Sequence, residues 1–181
     1  GVTDYLWHDF GPDMKNGTWE YFSFDPPEEK DKSKGGRYRK VTYPAGMENW
    51  MAADFDARAA GWKTGNAPFG QKGGQKVAIG GCGEDSECRC GVAPGTLWEK
   101  EVLIMRTKLK VPAFKEGHIY RLCVGGMSHV QGGDGFDIFV NGKKVFGRNS
   151  GVGKRQGGQA VAIHLTKDWW PEFEGEVTIA A

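Results

Sequence analysis

Nowhere in the 181 residues does an apolar run approach the roughly 20 needed to cross a bilayer as a helix, and no charged-then-apolar leader opens the chain. The chain is therefore expected to have no membrane span, and to be the mature part of a secreted protein or a domain excised from a larger one. Its ending, "GEVTIAA", stops inside what reads as a strand, which fits excision. Neither sign of charge predominates: 24 Lys and Arg against 23 Asp and Glu leave a net charge of +1. That balance gives no electrostatic footprint for nucleic acid or an anionic membrane.

Enzyme motifs are absent too. His8, His118, His129 and His164 are scattered through the chain. "GNAPFGQK" puts Gln71 where a P-loop needs Lys, and "GVGKRQG" misses G-x-G-x-x-G by one position and follows a hairpin rather than opening a helix. No G-x-S-x-G elbow occurs, and Ser128 beside His129 in "GGMSHV" would point the opposite way in a strand. A pair of glycosidase carboxylates is a spatial property, about 5 to 9.5 Å apart, that sequence does not reveal. The chain is therefore expected not to be an enzyme.

What the sequence has in quantity is Gly, 29 residues, and aromatics, 12% of the chain with seven Trp. This composition suits a turn-rich β protein. "TWEYFSFDPP" and "RYRKVTYP" read as strands ended by Pro. "FDARAAG" offers one helical turn, capped by Asp54 or Asp56 and stopped by Gly61. "LWEKEVLIMRTKLKVP" reads as a strand up to Pro112, and "HIYRLCVGG" as another in which Ile119, Arg121 and Cys123 face away from Tyr120, Leu122 and Val124. "GFDIFVNGKKVFG" is the clearest hairpin, because Asn-Gly supplies the positive φ angles of a type I′ turn. "QAVAIHL" and "GEVTIAA" complete the set. Many short strands and almost no helix predict one all-β domain over 1–181, an antiparallel β-sandwich or jelly roll with long loops.

Residues 71–95 read as a Gly- and Cys-rich loop insertion. The C-x5-C-x-C spacing of Cys82, Cys88 and Cys90 fits neither zinc pairs nor a redox C-x-x-C. A disulfide from Cys82 to Cys88 or Cys90 is the better use of the cluster and implies an extracellular or periplasmic location. Reduced thiols in a cytosolic protein are the alternative.

The succession of Trp50, Phe55, Asp56 and Trp62, then Arg106 to Pro112, then Phe136 to Lys143 resembles the galactose-binding-domain-like β-sandwich. That fold includes carbohydrate-binding modules and accessory domains of glycoside hydrolases. The resemblance covers about residues 46 to 181. It implies loops at one end that bind a sugar, often beside a structural calcium ion, and it assigns Trp50 and Trp62 to packing. Asp134 or Asp137 are the candidate oxygen ligands for calcium, although no D-x-D-x-D-G loop is present and the metal remains unknown.

A sugar site needs aromatic platforms and polar hydrogen bonders on loops. Two loops flank the outer ends of the hairpin: "SHVQGGDG", with His129, Gln131 and Asp134, and "GRNSGVGKRQGGQ", with Arg148, Asn149 and Arg155. A hairpin brings its outer ends together, so these residues form the expected ligand site; an ordinary solvated loop pair is the alternative. Trp98 and Trp170 are the candidate platforms. Trp169 and Trp170 are adjacent, and in extended backbone only one of them can face a core. The expected function is a monomeric, non-catalytic carbohydrate-binding module, binding a polysaccharide or oligosaccharide on behalf of a larger secreted protein. A structural or protein-interaction domain packed on neighbouring domains is the second reading, and a small polysaccharide-active enzyme the third.

Overall fold

The computed structural model describes residues 17–34, 40–67, 69–71, 95–124, 136–148, 161–170 and 175–181. These residues form ten strands: β1 (Thr18–Phe24), β2 (Lys63–Asn66), β3 (Phe69–Gln71), β4 (Thr96–Trp98), β5 (Val102–Val111), β6 (Tyr120–Val124), β7 (Phe136–Val140), β8 (Lys143–Arg148), β9 (Val161–Leu165) and β10 (Gly175–Ala180). The only helices among them are the single 3-10 turns Lys32–Lys34 and Lys167–Trp169. Six strands make one antiparallel sheet in the order β2-β1-β5-β10-β7-β8. β6 and β9 form a separate antiparallel ribbon, while β3 and β4 pair in parallel. The chain is all-β and sandwich-like, as its composition and turns predict.

The period-2 rule assigns each face of the sheet. Directly opposed residues share a face, so Phe22 with Ile104, Phe24 with Val102, and Phe139 with Ala180 build one apolar surface. It is covered by the segment from Val41 to Trp62, which buries Met47 and Trp50 and leans Tyr43, Phe55 and Trp62 on them. The Trp50 ring meets Phe139 edge-on at 5.5 Å and Trp62 at 6.3 Å. The opposite face carries Val111, Val140, Val177 and Ile179, against which Leu122 of β6, Leu165 of β9, Trp169 and Trp170 pack. Tyr21 on this same face meets Phe69 of β3 at 5.2 Å, and Thr96 of β4 sits where a Cβ on Gly65 would be, 2.5 Å from its Oγ1. Both ribbons therefore lie on one side of the six-stranded sheet, as the second layer of a sandwich.

One buried cation ties the sheet to the covering segment. Arg106 on β5 is 0% exposed; its guanidinium donates to the Trp50 carbonyl at 2.9 Å and the Ala53 carbonyl at 3.4 Å. Its Nε lies 3.5 Å from the Glu20 carboxylate, and its plane stands 5.5 Å from the Phe55 ring. Burial pulls the Arg106 pKa below its ordinary value, and the nearby Glu20 and Asp54 charges counter that shift. The helical turn in "FDARAAG" forms as its capping residues predict. Asp56 Oδ1 accepts the Ala59 amide, and Trp62 N–H closes on Ala57 O with Gly61 at φ +76°, a Schellman ending. The Asn-Gly hairpin also forms, with φ of 48° at Asn141 and 78° at Gly142. Ile138 and Val140 are its buried face.

Three local expectations differ. The described part of "RYRKVTYP", from Lys40 onward, is not a strand: Val41 and Tyr43 rest on the first core while Thr42 donates to Glu28, so the segment crosses the sheet face instead of extending its edge. "LWEKEVLIMRTKLKVP" breaks into β4 and β5. Its charged centre turns at Asp25, which accepts the Glu101 amide at 3.0 Å and pairs with Lys100 at 3.2 Å. Trp169 and Trp170 both reach the second core, because a 3-10 turn sets adjacent side chains about a third of a revolution apart instead of opposite each other.

Candidate functional site

The expected sugar-binding loops join two paired anchors. Phe136 opposes Arg148 at the outer end of the hairpin, and Val124 opposes Val161 at one end of the β6-β9 ribbon. Both loops therefore leave and re-enter the same two places, as the hairpin argument requires. His129, Gln131, Asp134, Asn149 and Arg155 lie outside the described residues, as do Cys82, Cys88 and Cys90; Arg148 is placed by its backbone at the end of β8. Asp137 is described, and its carboxylate is taken by Lys144 at 2.7 Å. Among the described residues no group of three or more His, Cys, Asp or Glu side chains is arranged to hold a metal.

Trp98 and Trp170 are anchored by different elements, Trp98 by β4 and Trp170 by its bond to Pro112. Trp98 ends β4, whose Thr96 bonds Asn66 O over the β2 side of the sheet, and its indole N–H is buried with no acceptor among the described residues. Trp170 lies at the far end of β5, where its Nε1 donates to Pro112 O at 2.8 Å. Arg148 is also distant from Trp170. Through the β7-β10-β5 register, Phe136 and Arg148 sit level with about residue 103 of β5, roughly 25 to 30 Å along the strand from Pro112.

What surrounds Trp170 is an aromatic cluster that sequence reasoning did not assemble. Its ring centroid lies 4.4 Å from Tyr120 and 6.0 Å from Phe114; Phe114 and Tyr120 are 4.9 Å apart. All three are half-buried. Positions are fixed from several sides. Trp170 is held by Pro112, Tyr120 by its place in β6, and the Tyr120 hydroxyl accepts the Lys115 amide at 3.0 Å. A tight turn over Lys115–His118, closed by His118 N–H to Lys115 O, needs the φ of +81° that Gly117 supplies. That turn carries exposed Lys115, Glu116 and His118, with His118 6.5 Å from Tyr120, and leaves Ile119 42% exposed. Chemically this is a partly wet aromatic surface rimmed by cationic, anionic and imidazole groups. It suits a ligand with one apolar face and a hydroxylated edge.

The signal that locates the cluster is present in "PAFKEGHIYR": two aromatics flank a Lys-Glu-Gly turn directly after a Pro-terminated strand. Only the β5-β6 connection and the pairing of β6 with β9 show that this turn meets Trp170. Compared with known protein families and with curated proteins, the chain matches none of them.

Proposed function

We propose that the chain is a non-catalytic carbohydrate-binding module of the galactose-binding-like sandwich type, and that Phe114, Tyr120 and Trp170 are its stacking platform. The observation that carries this reading is the half-buried, three-ring cluster held rigidly at the edge of the second core. A sugar ring laid on such a surface buries its apolar C–H face against the rings, and Lys115, Glu116 and His118 supply hydrogen bonds to its hydroxyls. Rigid rings lose little entropy on binding, which favours a pre-formed platform over a mobile one. In this reading His129, Gln131, Asp134, Arg148, Asn149 and Arg155 are a second contact region, suited to an acidic or extended glycan. Affinity per site is modest, and attachment within a secreted parent protein raises it by multivalency.

The exposed Ile119, the chain neighbour of Tyr120, favours the second reading, a domain that docks on a neighbouring protein surface. A screen of the chain against immobilised neutral and uronate-bearing polysaccharides separates the possibilities. Retention of at least one polysaccharide without release of reducing ends is the expected result. No retention on any of them favours the docking domain, and reducing-end release makes the chain an enzyme.

A further inference from the structure

The Asn141 amide does more than make a turn. Its Oδ1 accepts the Thr178 amide of β10 at 2.9 Å, its Nδ2 donates to the Trp169 carbonyl at 3.1 Å, and its own backbone N–H donates to Thr178 O at 2.9 Å. Lys143, two residues on, donates to Asp168 O at 3.0 Å. One side chain therefore joins the hairpin to β10 and to the 3-10 turn that carries Trp169 and Trp170.

The residue after Asn141 is Gly142, and Asn-Gly is the dipeptide in which the following amide meets least steric hindrance as it attacks the side-chain carbonyl. Gly142 N attacks Asn141 Cγ, forming the ring bond of a succinimide; the Cγ–Nδ2 bond breaks, and ammonia leaves with the proton from the attacking amide. Water then opens the ring to aspartate or isoaspartate. In the fold both ends of the Asn141 amide are engaged, φ is held at 48°, and Gly142 packs against Ala52, whose Cα lies 3.4 Å from where a Cβ on Gly142 would stand. Closing the ring requires breaking the bonds that both ends of the amide make.

We propose that Asn141-Gly142 is a deamidation site masked by the fold, and that its conversion unlatches the Trp169–Trp170 turn. The aspartate product keeps an acceptor for the Thr178 amide but has no donor for the Trp169 carbonyl, and it places negative charge beside that carbonyl oxygen. The consequence falls on one side of the latch: β10 stays held while the Trp turn loses its bond to residue 141 and keeps those from Lys143 and to Pro112. This inference stands apart from sugar binding, and its readouts do not involve a glycan.

The test incubates the intact chain in warm, mildly alkaline buffer with and without urea and maps amide-to-acid conversion by peptide mass spectrometry. Conversion at Asn141 should be at least about tenfold faster in urea than in the folded chain, in proportion to the fraction of time the latch is open. Equal rates would overturn the masking. The Asn141→Asp variant should then show amide hydrogen exchange at Trp169 and Trp170 faster by about tenfold with Thr178 still protected, whereas Asn141→Gly, which preserves the turn, should lose protection at all three. Wild-type protection of Trp169 and Trp170 in Asn141→Asp would overturn the unlatching.

Discussion

Removing the Arg106 guanidinium leaves the Trp50 and Ala53 carbonyls without their donor inside the first core and opens a cavity beneath Phe55. Each stranded acceptor costs about 1–3 kcal/mol and the lost packing adds to it, so Arg106→Ala should lower unfolding free energy by about 3–5 kcal/mol in urea denaturation. Glu20 is different. Its carboxylate is part-exposed and 3.5 Å from Nε, so Glu20→Gln should cost less than about 1 kcal/mol. If the two variants proved equally destabilised, the ion pair, and not the carbonyl contacts, would be what holds the 50–53 segment. Arg106 was legible in the sequence only as part of a strand. Its alternation partner Ile104 is apolar, and nothing local reveals that a cation at the next inward position meets two carbonyls more than fifty residues away.

The turn over Asp56–Trp62 is an element whose sequence signals and geometry agree: an acidic cap, a short Ala-rich run and a left-handed Gly stop. Asp56→Ala removes the acceptor for the Ala59 amide and should cost about 1 kcal/mol, read as a lower urea midpoint. The β4-β5 turn makes a pH prediction. The Glu101 amide and the Lys100 ammonium hold the Asp25 carboxyl below its ordinary 3.8. A depressed carboxyl stabilises the fold above its unfolded pKa and loses that contribution as pH falls through the lowered value. The urea midpoint should therefore drop between pH of about 5 and about 2, and less steeply in Asp25→Asn, which has no proton to take up. The hairpin is legible because Asn-Gly marks its turn, but the register shift between Ile138 and Phe139 is not, and neither is β2. "KTGN" is polar and Gly-bearing, and it is a strand only because its backbone completes the edge of β1. The segment from Lys40 to Pro44 failed in the opposite sense: alternation at Val41 and Tyr43 marks contact with a core, and here the core lies beneath the segment and not beside it.

Taken as one molecule, the described residues form a six-stranded sheet with an aromatic covering segment on one face and two ribbons on the other. The sandwich class followed from short strands, turn chemistry and the lack of helical periodicity, which are local properties. The candidate site did not follow, because Phe114, Tyr120 and Trp170 converge only when β6 pairs β9 and the 167–170 turn folds back to Pro112. "KDWWPEF" marks Trp170 as a candidate, but its partners are about fifty residues earlier, and the polar loops that flank the hairpin begin at its other end. The platform reading makes a sharp demand of Tyr120, whose ring joins Phe114 to Trp170. Affinity gel electrophoresis of wild type and Tyr120→Ala, in the polysaccharide that wild type binds best, tests it directly. The platform predicts a dissociation constant raised by about tenfold, the equivalent of about 1.4 kcal/mol, with the circular dichroism spectrum of the folded chain retained. Equal retardation of the two proteins, or no retardation of wild type by any polysaccharide, would contradict it.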